Sequence, residues 1–252
     1  MRISRIAAAA AAGVIGIATG TALGAEIVVY RTISTKEVLI ELVPEFEHAS
    51  GHKVNITYGG GSELSKRIAS GGTRGDLFIG PEEFSGPLIE SGALLAGSRT
   101  AFARSSTGLA VRAGAPKPDI SSPEKLKAAL LAAGKVSYSA GASGMHFVKI
   151  IERLGITDAV VAKRVPPKPG ELVGAVVARG EADIGVQQIS ELLPVTGIVI
   201  LDPLPAELQQ TINYGATSFP QSTQREAAQA FIKFLRSEPA RTVLRKKGLE
   251  PA

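Results

Sequence analysis

An α/β fold of mostly parallel sheets flanked by helices is what this 252-residue sequence predicts. Three observations carry the prediction. Short apolar runs alternate with helical patterns along the chain, as strands buried on both faces and their crossover helices do. Several of these runs end in Gly- and Ser-rich loops that open a helix. A helix ending in Gly, a short turn and an Asp-led apolar run occur twice, at Arg67–Ile79 and again at Val177–Val186. Two lobes of similar design would produce that echo, and so would any α/β chain that reuses a turn.

Residues 1–24 stand apart. Arg2 and Arg5 precede an uncharged run from Ile6 to Ala25, with Ala22-Leu23-Gly24 placing small residues before Ala25-Glu26. This reads as a cleaved secretory signal peptide. An uncleaved membrane anchor is the alternative for an apolar run of this length. A lipid anchor would need a Cys, and the chain has none.

Glu26–Tyr30 is the first strand. Ser34-Thr35-Lys36-Glu37 then forms a capping-box pattern, opening a helix that Gly51 closes and that Pro44 should kink or shorten. Val54–Tyr58 is the second strand, running through Gly59–Gly61 into a helix at Ser62. Asp76–Gly80, Thr107–Val111 and Lys135–Tyr138 follow as strands. Ser139–Gly144 leads into a helix over His146–Leu154. Gly170–Leu172 opens another helix ending at Arg179-Gly180, and Asp183–Gln187 is the next strand. Two helices, about Thr223–Leu235 and Pro239–Lys247, close the chain.

Composition narrows the function. Lys plus Arg is 28 against 23 acids, and loss of Arg2 and Arg5 lowers the balance from +5 to +3. With aromatics at 5% and no Trp, nothing suggests a basic, aromatic nucleic-acid face, so no nucleic-acid partner is expected. The absence of Cys excludes disulfides, thiolate metal sites and a Cys nucleophile. There is no nucleophile elbow, and no Gly-Lys-Ser/Thr follows Gly59–Gly61 to make a phosphate loop. No pair of His or acidic residues shows metal-ligand spacing near His146, and neither a metal nor a cofactor is expected.

What remains is the placing of the small-residue loops: Arg31–Ser34, Gly59–Ser62, Ser139–Gly144 and Lys168–Gly170. A helix N-terminus presents unpaired N–H groups and partial positive charge, and glycine lets a ligand approach them closely. In open α/β sheets such loops gather at the carboxyl ends of the strands. Each is a potential anion cradle.

On these stretches the chain resembles the type II periplasmic solute-binding proteins that serve ABC importers, and is most similar to their molybdate-binding branch. The matching segments are Val29–Ser34, Gly60–Leu64, Gly75–Ile79, Ala182–Gly185 and Ala230–Leu235. The resemblance implies two α/β lobes hinged by two crossing strands, near Ala103–Ser106 and Gln209–Thr211. Lobe I would comprise 25–104 plus 211–252, and lobe II 105–210. It further implies a periplasmic, monomeric protein that binds a small anion and meets an ABC permease in the inner membrane.

The resemblance also assigns the site. Ser34 matches the first oxyanion-binding serine. Gly61 falls where a second belongs, beside Ser62, and Gln188 falls where a tyrosine belongs. Ser143 and Leu172 match positions giving backbone N–H groups, with Thr32, Gly60 and Gly144 completing the cradle loops. Arg31 replaces a small residue. Its guanidinium fork suits a carboxylate, so the expected ligand is an organic di- or tricarboxylate. Alternatively Arg31 turns away and pairs with an acid such as Glu63. Molybdate or tungstate is a further alternative. Aconitate isomerases are similar to this branch too, and on that reading Arg31 clamps substrate while His146 is the acid–base. His48 and His52 read as solvated, Arg74 belongs to the opposite edge, and Arg241, Arg245, Lys246 and Lys247 read as a solvated face.

Overall fold

The computed structural model describes residues 24–252. The signal-peptide expectation therefore lies, but for Gly24, outside the described residues. In chain order the first half contains β1 (Glu26–Thr32), a short 3-10 turn (Ile33–Thr35), α1 (Lys36–Ser50), β2 (Lys53–Gly59), α2 (Gly61–Ala69), β3 (Leu77–Pro81), α3 (Glu82–Glu90), β4 (Thr100–Arg112) and α4 (Pro123–Ala132). Then come β5 (Val136–Tyr138), α5 (Ala142–Arg153), α6 (Thr157–Val161), α7 (Val173–Ala178), β6 (Ile184–Gln188), α8 (Ile189–Leu192), β7 (Ile198–Ile200), β8 (Thr211–Ser218), α9 (Arg225–Leu235), α10 (Glu238–Lys246) and β9 (Glu250–Pro251).

The strands run in the order β2-β1-β3-β8-β4-β6-β5, with β7 and β9 added to β4. β1 pairs in parallel with β2 and β3, and β5 with β6. Every antiparallel pairing involves β4 or β8. These are the two strands that run between lobes. The first half of β4 pairs with β8 and β9, and its second half pairs with β6 and β7. The crossing expected at Ala103–Ser106 and the strand expected at Thr107–Val111 are thus one continuous 13-residue strand.

Two apolar cores flank the crossing. One gathers Leu42, Phe46, Phe78, Tyr214 and Phe231 from the ends of the chain, with the Phe46 and Phe231 rings 4.8 Å apart. The other gathers Leu109, Val136, Phe147, Ile151 and Val186 from its middle. Two separate dry cores joined by two strands give a body that can flex between them without unpacking either.

Two local expectations are corrected. α1 runs unbroken through Pro44. The N–H that proline lacks would have met the carbonyl of Ile40, a solvent-exposed residue, so the loss leaves no buried group unpaired. The capping box does not form, because no side chain caps the N-terminus of α1. The Ser34 hydroxyl is instead bonded across the molecule, as described next. Gly51 ends α1 as expected, in the left-handed conformation at φ 74°.

Candidate functional site

The loops at the carboxyl ends of β1 and β2 meet those after β5 and β6 of the second lobe around a cavity of about 290 Å³. Thr32 and Ser34 reach it from the end of β1, Gly60, Gly61 and Ser62 from the start of α2, and Ser139–Ala142 from the start of α5. Lys168, Gln187, Gln188 and Glu191 complete the far wall. α2 and α5 therefore point their N-termini at one space from opposite lobes, and neither has a side-chain cap. Their first-turn N–H groups and dipoles are directed at whatever occupies it.

Two glycines are fixed by packing there. A Cβ on Gly61 would lie 2.1 Å from the Phe84 ring, so the place of a serine side chain is filled by an aromatic edge. A Cβ on Gly144 would lie 1.9 Å from the Ser139 carbonyl oxygen, so the first turn of α5 can lie on its loop only with glycine there.

The lobes are in direct contact across the cavity. The buried Tyr214 hydroxyl donates to Gln188 Oε1, and Gln188 Nε2 donates to Ser34 Oγ at 3.1 Å. Ser34 thus accepts one bond, and its hydroxyl favours the charged form of the nearby Glu191 carboxyl. This chain links crossing strand β8, the second lobe and the end of β1. At the rim, Ser62 Oγ donates to the Ala140 carbonyl at 3.4 Å.

The expected site residues divide. Thr32, Ser34, Gly60, Gly61, Ser62 and Gln188 line the cavity. Leu172 lines an adjoining pocket of about 150 Å³, with Lys36, Glu37, Tyr58 and Glu191. Ser143 and Gly144 lie in the first turn of α5, outside the lining, and the buried Ser143 hydroxyl has no partner among the described residues. Arg31 is 4% exposed and outside both linings. Its guanidinium carbon stacks 5.1 Å from the Tyr58 ring centroid, and Nη1 donates to the Thr32 carbonyl at 3.3 Å. Its Nε has no partner, and no carboxylate, Glu63 included, lies within salt-bridge distance of it. Burial lowers its pKa, opposed by Tyr58 and Glu37.

His146 is 7% exposed and outside the cavity lining. Its Nδ1 bonds Thr107 Oγ1 at 3.0 Å, and burial lowers its pKa below the usual histidine value. His52 is held as well, its Nδ1 accepting the Ala25 N–H. In the basic C-terminal stretch, Lys246 and Lys247 pair with Glu41, and Arg241 and Arg245 with Glu238.

Glu191 escaped the sequence reading. It stands at the wall shared by both pockets. Loss of solvation pushes its carboxyl up to about 7, against the Ser34 hydroxyl, the Gln188 N–H and the Gln187 side chain, which favour the charged form. In the sequence it is one acid in the short helix α8, just after the Gln187-Gln188 end of β6. Lys168 comes from a loop that the sequence reading names as a candidate cradle, whereas Tyr214 lies in β8 beyond the crossing read at Gln209–Thr211 and was missed. No cluster of three or more metal-ligating side chains occurs among the described residues.

A larger depression of about 790 Å³ lies at the opposite edge, around Arg74, Asp76 and Ser222. Its carboxylate is engaged: Asp76 accepts from the Val28 N–H at 2.8 Å and from Ser222 Oγ at 2.6 Å.

The chain matches the family model described as bacterial extracellular solute-binding protein over residues 27–250. It is 35% identical to an aconitate isomerase from a Pseudomonas species over 216 residues, spanning 84% of this chain and 82% of the relative. It is 25% identical to the molybdate-binding protein ModA of Azotobacter vinelandii, spanning 98% of this chain and 97% of ModA. In fold it is similar to the sulfate-binding protein SubI from Mycobacterium tuberculosis, with TM-score 0.75 and 19% identity, covering 90% of this chain and 87% of that one.

Proposed function

The chain belongs to the bacterial extracellular solute-binding protein family, and from that premise we propose that it captures a small organic di- or tricarboxylate between its lobes in the periplasm and delivers it, as a monomer, to an inner-membrane ABC permease. The observation that carries this reading is the pair of uncapped N-termini, α2 from one lobe and α5 from the other, facing one partly open cleft. Closing the lobes strips water from those N–H groups, and fixed dipoles in a dry site hold negative charge strongly.

Size and charge favour a carboxylate. A cavity of about 290 Å³ corresponds to about ten water-sized groups at ~30 Å³ each. A tetrahedral oxyanion would leave much of that unfilled, whereas a tricarboxylate of about a dozen non-hydrogen atoms would occupy it. Lys168 is the cationic residue on the lining, and Arg31 stands behind Tyr58 without a counter-ion. The proposed lobes, 25–104 plus 211–252 and 105–210, follow the two cores. Proposed export through a signal peptide at 1–24 accords with the family.

The test is thermal stabilisation by a panel of citrate, aconitate isomers, smaller dicarboxylates, sulfate, molybdate and tungstate. A true ligand at 100 times its Kd adds about 2.7 kcal/mol. Stabilisation by molybdate or tungstate alone would replace the carboxylate reading with an oxyanion one.

The 35% identical aconitate isomerase favours a second reading, movement of a proton across an allylic tricarboxylate. That chemistry needs an acid–base at the cavity wall. Glu191 stands there, and His146 is held behind it by Thr107. Absorbance of purified protein with cis- or trans-aconitate decides: turnover abolished in Glu191→Gln and retained in His146→Ala supports an isomerase with Glu191 at its centre.

A further inference from the structure

The cavity that draws an anion with helix N-termini and Lys168 also presents a carboxyl to it. Of the three acids on its lining, Glu171 is neutralised by Arg179 at 2.8 Å, and Glu63 is exposed. Among the described residues Glu191 has no cation within 4.0 Å. Lys36, Glu37 and Tyr58 face it across the smaller pocket. Lys168, Glu171 and Glu63 face it across the larger. Tyr214 lies behind it, with Glu83 beyond. The neighbours that favour its charged form are neutral: the Ser34 hydroxyl, the Gln188 backbone and the Gln187 side chain. Two ionised carboxylates in one closed space repel strongly, and a shared proton removes the conflict.

Resting on the carboxylate reading above, we infer that Glu191 is the proton carrier of the cleft: the ligand enters with one proton taken from solvent, held between a ligand carboxylate oxygen and the Glu191 carboxyl. No covalent bond forms or breaks. The proton goes back to solvent when the lobes open. The free carboxyl's elevated pKa, about 7, places this exchange in the physiological range. The cleft then takes carboxylates that accept a shared proton and disfavours fully ionised oxyanions, which are poor partners for it.

The experiment is calorimetric titration with trans-aconitate and, separately, molybdate, at pH 6 and pH 8, in buffers of different ionisation enthalpy. For the wild type, uptake on binding trans-aconitate should be about 0.9 proton at pH 8 and about 0.1 at pH 6, with affinity about tenfold weaker at pH 8. Glu191→Gln keeps an acceptor for Ser34 and supplies a permanent donor, so uptake should vanish and affinity at pH 8 should rise about tenfold. His146→Gln, measured alongside, should keep the wild-type dependence. Equal trans-aconitate affinity at both pH values without proton uptake overturns the inference and leaves the carboxylate reading standing. Molybdate binding with no carboxylate binding at either pH overturns both.

Discussion

The two depressions at opposite edges of the first lobe differ in a way that size does not reveal. The one around Arg74 and Asp76 is larger, at about 790 Å³ against about 290 Å³. Yet its Asp76 carboxylate is consumed by the Val28 N–H and the Ser222 hydroxyl, bonds that tie strands and loops together. The interlobe cavity keeps spare capacity: two uncapped helix N-termini, Lys168, and the Glu191 carboxyl, which has no salt-bridge partner among the described residues. Polar groups left incompletely satisfied in a dry place mark where a ligand belongs, because a fold gains nothing from holding them that way.

The strongest way to break the comparison is through the glycines of the cleft. Gly144→Ala should cost about 3 kcal/mol or more in thermal denaturation, since the added methyl meets backbone and cannot be relieved by a rotamer change. Gly60→Ala meets nothing within 4 Å and should stay within about 1 kcal/mol of wild type. Equal effects at the two positions would show that α5 does not rest on its loop as described.

Arg31 comes next. A buried guanidinium without a counter-ion should weaken the unliganded protein, so Arg31→Met should melt no lower than wild type. It should also lose on the order of 2 kcal/mol of carboxylate binding. A variant that melts lower and binds normally would make Arg31 a structural residue.

The two edges can be sharpened against each other. Asp76→Ala strips partners from Val28 and Ser222 and should cost about 1–3 kcal/mol of stability with no change in anion affinity. Gln188→Ala leaves Tyr214 and Ser34 unpaired, so it should cost a similar amount and also weaken binding, because it cuts the link between lobes. Titration of both variants with the same anion separates the two roles.

The chain made these features legible to different degrees. β1, β2, β3, β5 and β6 are local apolar runs, and Gly51 is a local stop, so each could be read from its own neighbours. The two strands that join the lobes could not. β8, Thr211–Ser218, mixes polar and apolar residues because it pairs with β3 on one side and β4 on the other. β4 changes partners halfway along its length. The Ser34 capping box failed because its hydroxyl bonds Gln188, 154 residues away. Glu191 is invisible for the same reason: in sequence it is a short-helix acid, and only the fold brings it to the wall of the cavity with Ser34 and Gln187.

The smallest effect concerns His146. Burial lowers its folded-state pKa below the ordinary 6.5, so the unfolded chain takes up its proton first. The contribution to stability is complete above about pH 6.5 and is lost as pH falls toward the lowered folded value. Thermal melts from pH 7 to pH 5 should show a decline that His146→Gln reduces. An unchanged decline would assign it to other groups.

The most direct measurement is a crystal structure of the protein grown with the anion that stabilises it most. This account predicts density between Gly61–Ser62 of one lobe and Gly141–Ala142 of the other, within reach of Glu191. Density in the depression beside Arg74 and Ser222, with the interlobe cavity holding only water, would contradict it.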